Sequence, residues 1–379
     1  MKTVVIIGAG ASGLACASTL SRMHEDIQII VLEQFNKSAK KLLATGNGRC
    51  NLSNKNMTID AFNTKEKKIE NIIKGFDVVT YFSEIGLITK YNGDLLYPFS
   101  NQAATVKKVL LDSLENVLLI EDCKVIKIEQ GKHAYTIKTN KKDIRADFVV
   151  CAMGSKAGRL SGEDNLQILQ ELHLTINESY PSLVQLHTLP SYPMLKGVRV
   201  KASVSLMNQN KVIDTKEGEV LFTDTGVSGI CVMQLSRFIH HYASPLYLHI
   251  DMLSQYSDKE VKELLYQRQK KYQSYYLEGI FNEKLAKVLM ENQIFPKKMV
   301  LEVTGTNDYT KAQVMSGGLS LEEVNDNLEC HRYPNIFVVG EVLDVDGDCG
   351  GYNLHFAFAS GNHVAKIIDT RVRENVTNK

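Results

Sequence analysis

Unbroken apolar runs, rather than alternating ones, mark the first part of the chain. Val4-Val5-Ile6-Ile7 and residues 27–32 are such runs, and each predicts a strand buried on both faces of a parallel sheet. Between them lies Gly8-Ala9-Gly10-Ala11-Ser12-Gly13, after which Leu14, Ala17 and Leu20 recur at helical spacing. The pattern is a β-α-β unit with a glycine turn between its first strand and helix. Residues 40–54 are basic, rich in glycine and asparagine and without periodicity, and read as a loop. Helical patterns over 68–85 and 103–114 alternate with strands near 118–120, 125–129 and 135–139, and 144–152 is again a buried-strand run.

The texture changes near Pro181. Pro181, Pro190 and Pro193 punctuate the chain, and the alternating stretches 198–207 and 211–222 predict antiparallel strands. Residues 257–292 are highly charged with apolar positions at helical spacing, which predicts a small helical element with a solvated face. At the other end, 335–339 is a buried strand, 345–351 a loop, and Leu354, Ala357, Phe358, Gly361, Val364, Ala365 and Ile368 form a helical stripe. First and last segments therefore share one style. The expected organisation is one discontinuous domain, 1–185 and 330–379, interrupted by a β-rich domain, 186–255 and 298–329, that itself carries a helical insert, 256–297.

Charge and cysteine content narrow the function classes. Forty-four Lys and Arg against 43 Asp and Glu leave a net charge of +1. That is not the strong field of a dedicated polyanion binder, so no nucleic-acid partner is expected. Seven scattered cysteines contain no C-x-x-C, which argues for a reducing compartment and against a dithiol redox enzyme. No run approaches the roughly 20 apolar residues of a membrane span. Residues 4–20 are broken by three glycines and do not read as a signal peptide. The expected location is cytoplasmic, without membrane attachment. No metal site is expected: Asp344, Asp346 and Asp348 alternate as in a calcium loop, but no acid follows at 352–355.

Gly8, Gly10 and Gly13 form G-x-G-x-x-G, in which the first glycine permits the turn, the second admits a pyrophosphate and the third lets helix and strand pack closely. Glu33 follows Gly13 at the spacing of an acid that accepts from ribose hydroxyls, and its charge disfavours a 2′-phosphate. Gly340-Glu341 after a buried strand, then Gly350-Gly351-Tyr352-Asn353 opening the last helix, make a second helix N-terminus. A long cofactor such as FAD uses such a second contact; a simple NAD domain does not need it. Gly154, Gly158 and Gly162 do not have the spacing of a second dinucleotide turn.

Three further stretches carry a resemblance: Gly46-Asn47-Gly48-Arg49-Cys50-Asn51-Leu52-Ser53-Asn54, residues 218–229 (GEVLFTDTGVSG), and residues 340–354 (GEVLDVDGDCGGYNL). With them the chain resembles, from Lys2 to about Lys366, the bacterial NAD(P)/FAD-dependent oxidoreductases described as aminoacetone-oxidase-type and bile-acid-reductase-like flavoproteins. The resemblance implies an α/β fold with a glutathione-reductase-like Rossmann FAD domain, discontinuous, with an inserted β-barrel-like domain and a small helical insert. It implies that Gly8, Gly10, Ala11, Ser12, Gly13, Glu33 and Gln34 hold the ADP half of FAD, with Val125 at the adenine. Lys40, Lys41, Thr45, Gly46, Asn47, Gly48, Arg49 and Asn51 would wrap the cofactor. Gly340, Glu341, Asp344, Gly350, Gly351, Tyr352 and Asn353 would serve its ribityl and flavin end, and Gly154 is a further implied cofactor contact. The family's usual Ala-Thr-Gly-Gly run appears here as Ala152-Met153-Gly154-Ser155, followed by a divergent segment to 164.

The expected reaction is hydride transfer through flavin N5, from NAD(P)H as transient reductant to a small organic substrate, by resemblance an enone or steroid-like C=C. Tyr352 and His355 are the candidate proton donors. Arg49 reads either as a structural ion-pair partner or as a cation that offsets phosphate or reduced-flavin charge. The rival reading is a flavin-containing tRNA-modifying or nucleic-acid-binding protein, for which the basic clusters at 65–68, 138–145 and 262–271 speak. Interspersed acids make a solvated face the simpler account of them. A redox-sensing module without turnover is a third alternative.

Overall fold

The apolar runs at the N-terminus become strands β1 (Lys2–Ile7) and β2 (Ile27–Leu32) of the computed structural model, which describes residues 1–23, 27–159 and 166–377. Val4, Val5 and Ile6 have no exposed surface, because the sheet flanks β1 on both sides. Helix α1 (Ala11–Met23) and helix α2 (Lys40–Ala44) follow in turn. With β3 (Val117–Ile120), β4 (Phe148–Cys151) and β5 (Ile336–Val338) the parallel sheet runs in the order β5-β4-β1-β2-β3. Val5 pairs with Ile30 on one side and Val149 on the other. The long helix α3 (Tyr352–Thr377) closes the unit by packing along α1. That crossing is close: a Cβ on Gly361 would lie 2.2 Å from the Ser12 carbonyl.

Contacts divide the chain into two units, Met1–Ser179 with Val314–Lys379, and Tyr180–Gln313. The first is the discontinuous Rossmann-type α/β domain. The second holds a closed six-stranded barrel, whose longest pair, Arg199–Asn208 and Lys211–Phe222, is antiparallel. Ala202, Val204 and Leu206 alternate inward, as the period of two requires. Two helices follow, Asp258–Tyr272 and Glu283–Glu291; the second adds Leu285, Ala286, Val288 and Leu289 to the barrel's core, and the first packs Leu265 against it. Ser257 and Glu260 form a capping box at the first.

Three local expectations change. The 68–85 pattern is two helices, Lys67–Lys74 and Val78–Glu84, because Asp77 accepts from the Val79 and Thr80 amides at 3.1 Å and starts a new one. The 144–152 run splits at Asp147, whose carboxylate takes the Thr3 amide at 2.9 Å and the Lys2 ammonium at 2.8 Å. Its first part, Ile144–Ala146, completes an antiparallel sheet with Val125–Gln130 and Tyr135–Thr139; its second is β4. The 40–54 loop opens with α2 and a 3-10 turn, Thr45–Gly48, in which Gly46 and Asn47 adopt left-handed angles. The divergent segment reaches into 160–164, outside the described residues. Among the described residues no helix is long and apolar enough to cross a membrane.

Candidate functional site

The turn after β1 uses its three glycines differently. Gly8 has φ +108°, and a Cβ there would lie 2.4 Å from the Ala152 carbonyl; one on Gly13 would lie 2.0 Å from the Gly8 carbonyl. These two positions press strand, helix and the end of β4 together. At Gly10 nothing lies within 4 Å of a Cβ. The open position sits where the first amides of α1, among them those of Ala11, Ser12 and Gly13, have no intrahelical acceptor. A phosphate can reach the backbone here.

Glu33, at the end of β2, is 8% exposed and accepts from the Ala9 and Phe35 amides, both at 3.0 Å. Burial pushes its carboxyl above the ordinary value, and the two amides oppose that shift. Each oxygen keeps a lone pair for a further donor, as a ribose hydroxyl would supply. The Glu33 amide donates to Ile120 and its carbonyl accepts from Cys123, so the chain leaving β3 runs beside it toward buried Val125. Gln34 is half-buried, and Lys40 lies over the Phe35 ring at 4.4 Å.

Strand β5 delivers Gly340 onto α1. Its amide donates to Ser360 Oγ at 3.0 Å, and a Cβ would lie 2.5 Å from Ser12 Oγ. Glu341 then meets Lys41 Nζ at 2.6 Å and accepts from the Met315 amide at 3.2 Å; Lys41 also donates to Ser155 Oγ at 3.3 Å. Gly154, Ser155, Met315, Gly317, Gly318 and Glu341 line a small cavity there. The Lys41–Glu341 pair joins residues far apart in the chain, and nothing in their spacing announces it.

The loop after α2 brings a second group of residues to the start of α3. The Thr45 hydroxyl donates to the Leu42 carbonyl at 2.6 Å. Beyond Gly46, Asn47 and Gly48, exposed Arg49 lies over the Tyr97 ring at 5.4 Å and has no carboxylate partner among the described residues. Asn51 is buried, and its Oδ1 accepts no hydrogen bond. The Asn54 side chain donates through Nδ2 to the Gly350 carbonyl at 3.0 Å. A Cβ on Gly351 would lie 2.9 Å from Asn51 Oδ1. The Asn353 side chain grips the Gly347 amide and carbonyl, each at 2.8 Å. Half-buried Tyr352 meets the Phe62 ring edge-on and its hydroxyl reaches the Asn56 carbonyl at 3.4 Å. Burial and the neighbouring Asp348 and Asp94 raise its pKa, so the phenol holds its proton at neutral pH.

Two candidates do other work. His355 is 3% exposed; Nε2 donates to the Ile73 carbonyl at 2.9 Å, which leaves Nδ1 to accept from Ser53 Oγ at 2.8 Å. Both ring nitrogens are used inside the protein, so His355 braces α3 rather than facing a substrate. Asp344 is likewise consumed, by Asn63 at 2.9 Å, Asn177 at 2.8 Å and the Gly317 amide at 3.1 Å. It ties the 340–348 segment to Asn63, Asn177 and Gly317.

An open phosphate turn at Gly10, a buried acid at the end of β2 with lone pairs to spare and a second glycine-rich helix start fit FAD in both halves. Fold and site define the class: the protein is an FAD-dependent oxidoreductase. More narrowly, the chain belongs to the family described as HI0933-like protein Rossmann domain, which matches residues 2–367. It is 33% identical to the 3-dehydro-bile acid delta(4,6)-reductase of Clostridium scindens, over 95% of this chain and 97% of that one. It is 24% identical to the ribosomal RNA dihydrouridine synthase of Escherichia coli, over 94% and 95%. Among solved structures, a quinol-fumarate reductase with menaquinol shares the fold at a TM-score of 0.50 and 14% identity, with 98% of this chain and 72% of that chain covered.

Proposed function

We propose that the enzyme adds hydride and a proton across a ring C=C conjugated to a carbonyl in a small organic substrate, oxidising NAD(P)H to NAD(P)⁺. The observation that carries this reading is the end-to-end similarity to a bile-acid reductase. The more distant relative supports the same chemistry, since dihydrouridine is uridine with its conjugated ring double bond reduced. FAD supplies two-electron transfer through N5 when bound. The turn at Gly10 and α1 would hold its pyrophosphate, Glu33 its ribose, and the start of α3 its ring system.

Tyr352 keeps a proton at the head of α3, and its phenol is the donor assigned to the substrate carbon next to the carbonyl. Anaerobic reduction of the purified protein by NADH or NADPH, followed by reoxidation with a 3-keto-Δ4 steroid, tests the proposal. Stoichiometric reoxidation with saturation of the C=C is expected; no reoxidation by any conjugated enone counts against it.

A second reading, reduction of a base within RNA, is favoured by one surface. Arg49, Lys55 and Lys90 lie over Tyr97, Tyr91 and Phe99 at 5.4, 4.7 and 4.9 Å, with no carboxylate partner among the described residues. Cations and rings side by side suit single-stranded RNA. Salt-sensitive retention of ribosomal RNA would favour this reading, and none at low salt would remove it.

A further inference from the structure

The small antiparallel sheet of Ser53–Asn54, Leu95–Pro98 and Thr89–Asn92 turns the paired residues Ser53 and Leu96 inward, where both are buried. Paired residues of such a ladder share a face, and the face alternates along each strand. The opposite face therefore carries Asn92 with Leu95 and Lys90 with Tyr97. One step further it carries Ile88 with Phe99, whose amide donates to the Ile88 carbonyl at 2.8 Å. At about 3.3 Å per residue the three pairs make a row about 13 Å long. The row starts at the head of α3: a Cβ on Gly350 would lie 3.5 Å from Leu95 Cδ2 and 3.4 Å from Asn54 Nδ2. In its middle, Arg49 over the Tyr97 ring and Lys90 over the Phe99 ring, at 5.4 and 4.9 Å, supply two cations without a carboxylate partner among the described residues. At its far end Ile88 is 72% and Phe99 64% exposed, a large apolar pair left in water.

Apolar, cationic, apolar is the order that complements two rings joined through a diphosphate. Two unpaired cations suit the diphosphate, and the free ring of Phe99 offers a purine a stacking face. A substrate with one anionic tail would leave Ile88 and Phe99 uncovered. We infer that this row is the docking site of the reduced nicotinamide dinucleotide, with the nicotinamide at the Leu95 end, the diphosphate between Arg49 and Lys90, and the adenine on Ile88 and Phe99. The inference rests on the NAD(P)H-dependent reading proposed above. It gives the reductant a place on a chain that holds no second G-x-G-x-x-G.

Isothermal titration of the flavin-loaded protein with the tetrahydronicotinamide forms of NADH and NADPH, which donate no hydride, reads the site without turnover. Wild type is expected to bind at least one of them. Lys90→Glu should weaken that binding about tenfold and Phe99→Ala about fivefold. Lys132→Glu, the same change of charge in the turn of another hairpin, should leave it unaltered. Flavin absorbance checks that each variant folds, and the two substitutions test the site independently. No binding by wild type, or unchanged affinity in both variants, would overturn the inference. Loss of ribosomal RNA retention in the variants with unchanged dinucleotide affinity would overturn it in favour of the RNA reading. Dinucleotide binding that is lost in the variants of an enzyme no conjugated enone reoxidises would uphold the site and sink the proposed reaction instead.

Discussion

His355 and Tyr352 stand three positions apart on one helix and have opposite fates. Tyr352 lies at the helix start, half-buried, with a phenol whose proton is held by burial; Tyr352→Phe should leave FAD content and reduction by NAD(P)H intact and slow substrate-dependent reoxidation by about 10²–10⁴-fold. A variant that reoxidises at the wild-type rate would assign the proton elsewhere. His355 faces inward, and burial holds its pKa below the ordinary 6.5. Because the folded value is depressed, the unfolded chain binds the extra proton first. The loss of stability is absent above about pH 6.5, grows as pH falls from there to the folded value and is constant below it. Urea midpoints measured between pH 8 and 5 should fall on the acid side. His355→Leu should flatten that fall while lowering stability by about 2 kcal/mol at pH 8, where Ser53 and Ile73 lose their partner. At Gly10 the consequence is for binding alone: the position is open in the protein, so Gly10→Val should fold normally and purify without FAD. A normal yellow protein would contradict the assigned phosphate approach.

Elements carry the site because they meet at backbone distance. Helices α1 and α3 are separated in sequence by most of the chain, yet Gly361 faces the Ser12 carbonyl and Gly340 faces Ser12 Oγ. A methyl group at Gly361 forces the helices apart. Gly361→Ala should therefore cost about 2 kcal/mol in urea unfolding and weaken FAD, since Ser12 sits in the first turn of the phosphate helix. Unchanged stability would show that the helices can separate without loss. Periodicity predicts both helices, but not their contact. The same limit explains the split of 144–152: an apolar run shows that a strand is buried, whereas the change of sheet at Asp147 depends on Thr3, 144 residues away.

At the scale of the molecule, the residues proposed to hold the cofactor come from Glu33 and three stretches, 8–13, 45–51 and 340–353, all within the discontinuous unit. Hydrogen exchange with and without FAD should show protection concentrated in those stretches, with the barrel strands such as Arg199–Asn208 unchanged. Protection confined to 8–13 would indicate binding of the ADP half alone. The glycine turn, Glu33 and the two styles of segment were legible in the sequence, because their signals are local: buried strands are apolar throughout, and a phosphate turn needs glycine at set intervals. What tertiary structure decided was which polar side chains remain available. Asp344 and His355 looked like site residues by position, but their partners lie at Asn177 and at Ser53 and Ile73, up to 302 residues away. Asn51, one asparagine among several in its loop, has its Oδ1 buried without a donor beside Gly351. Spacing along a chain reports geometry within a turn or an element; whether a buried polar atom is satisfied depends on what the fold brings beside it from elsewhere.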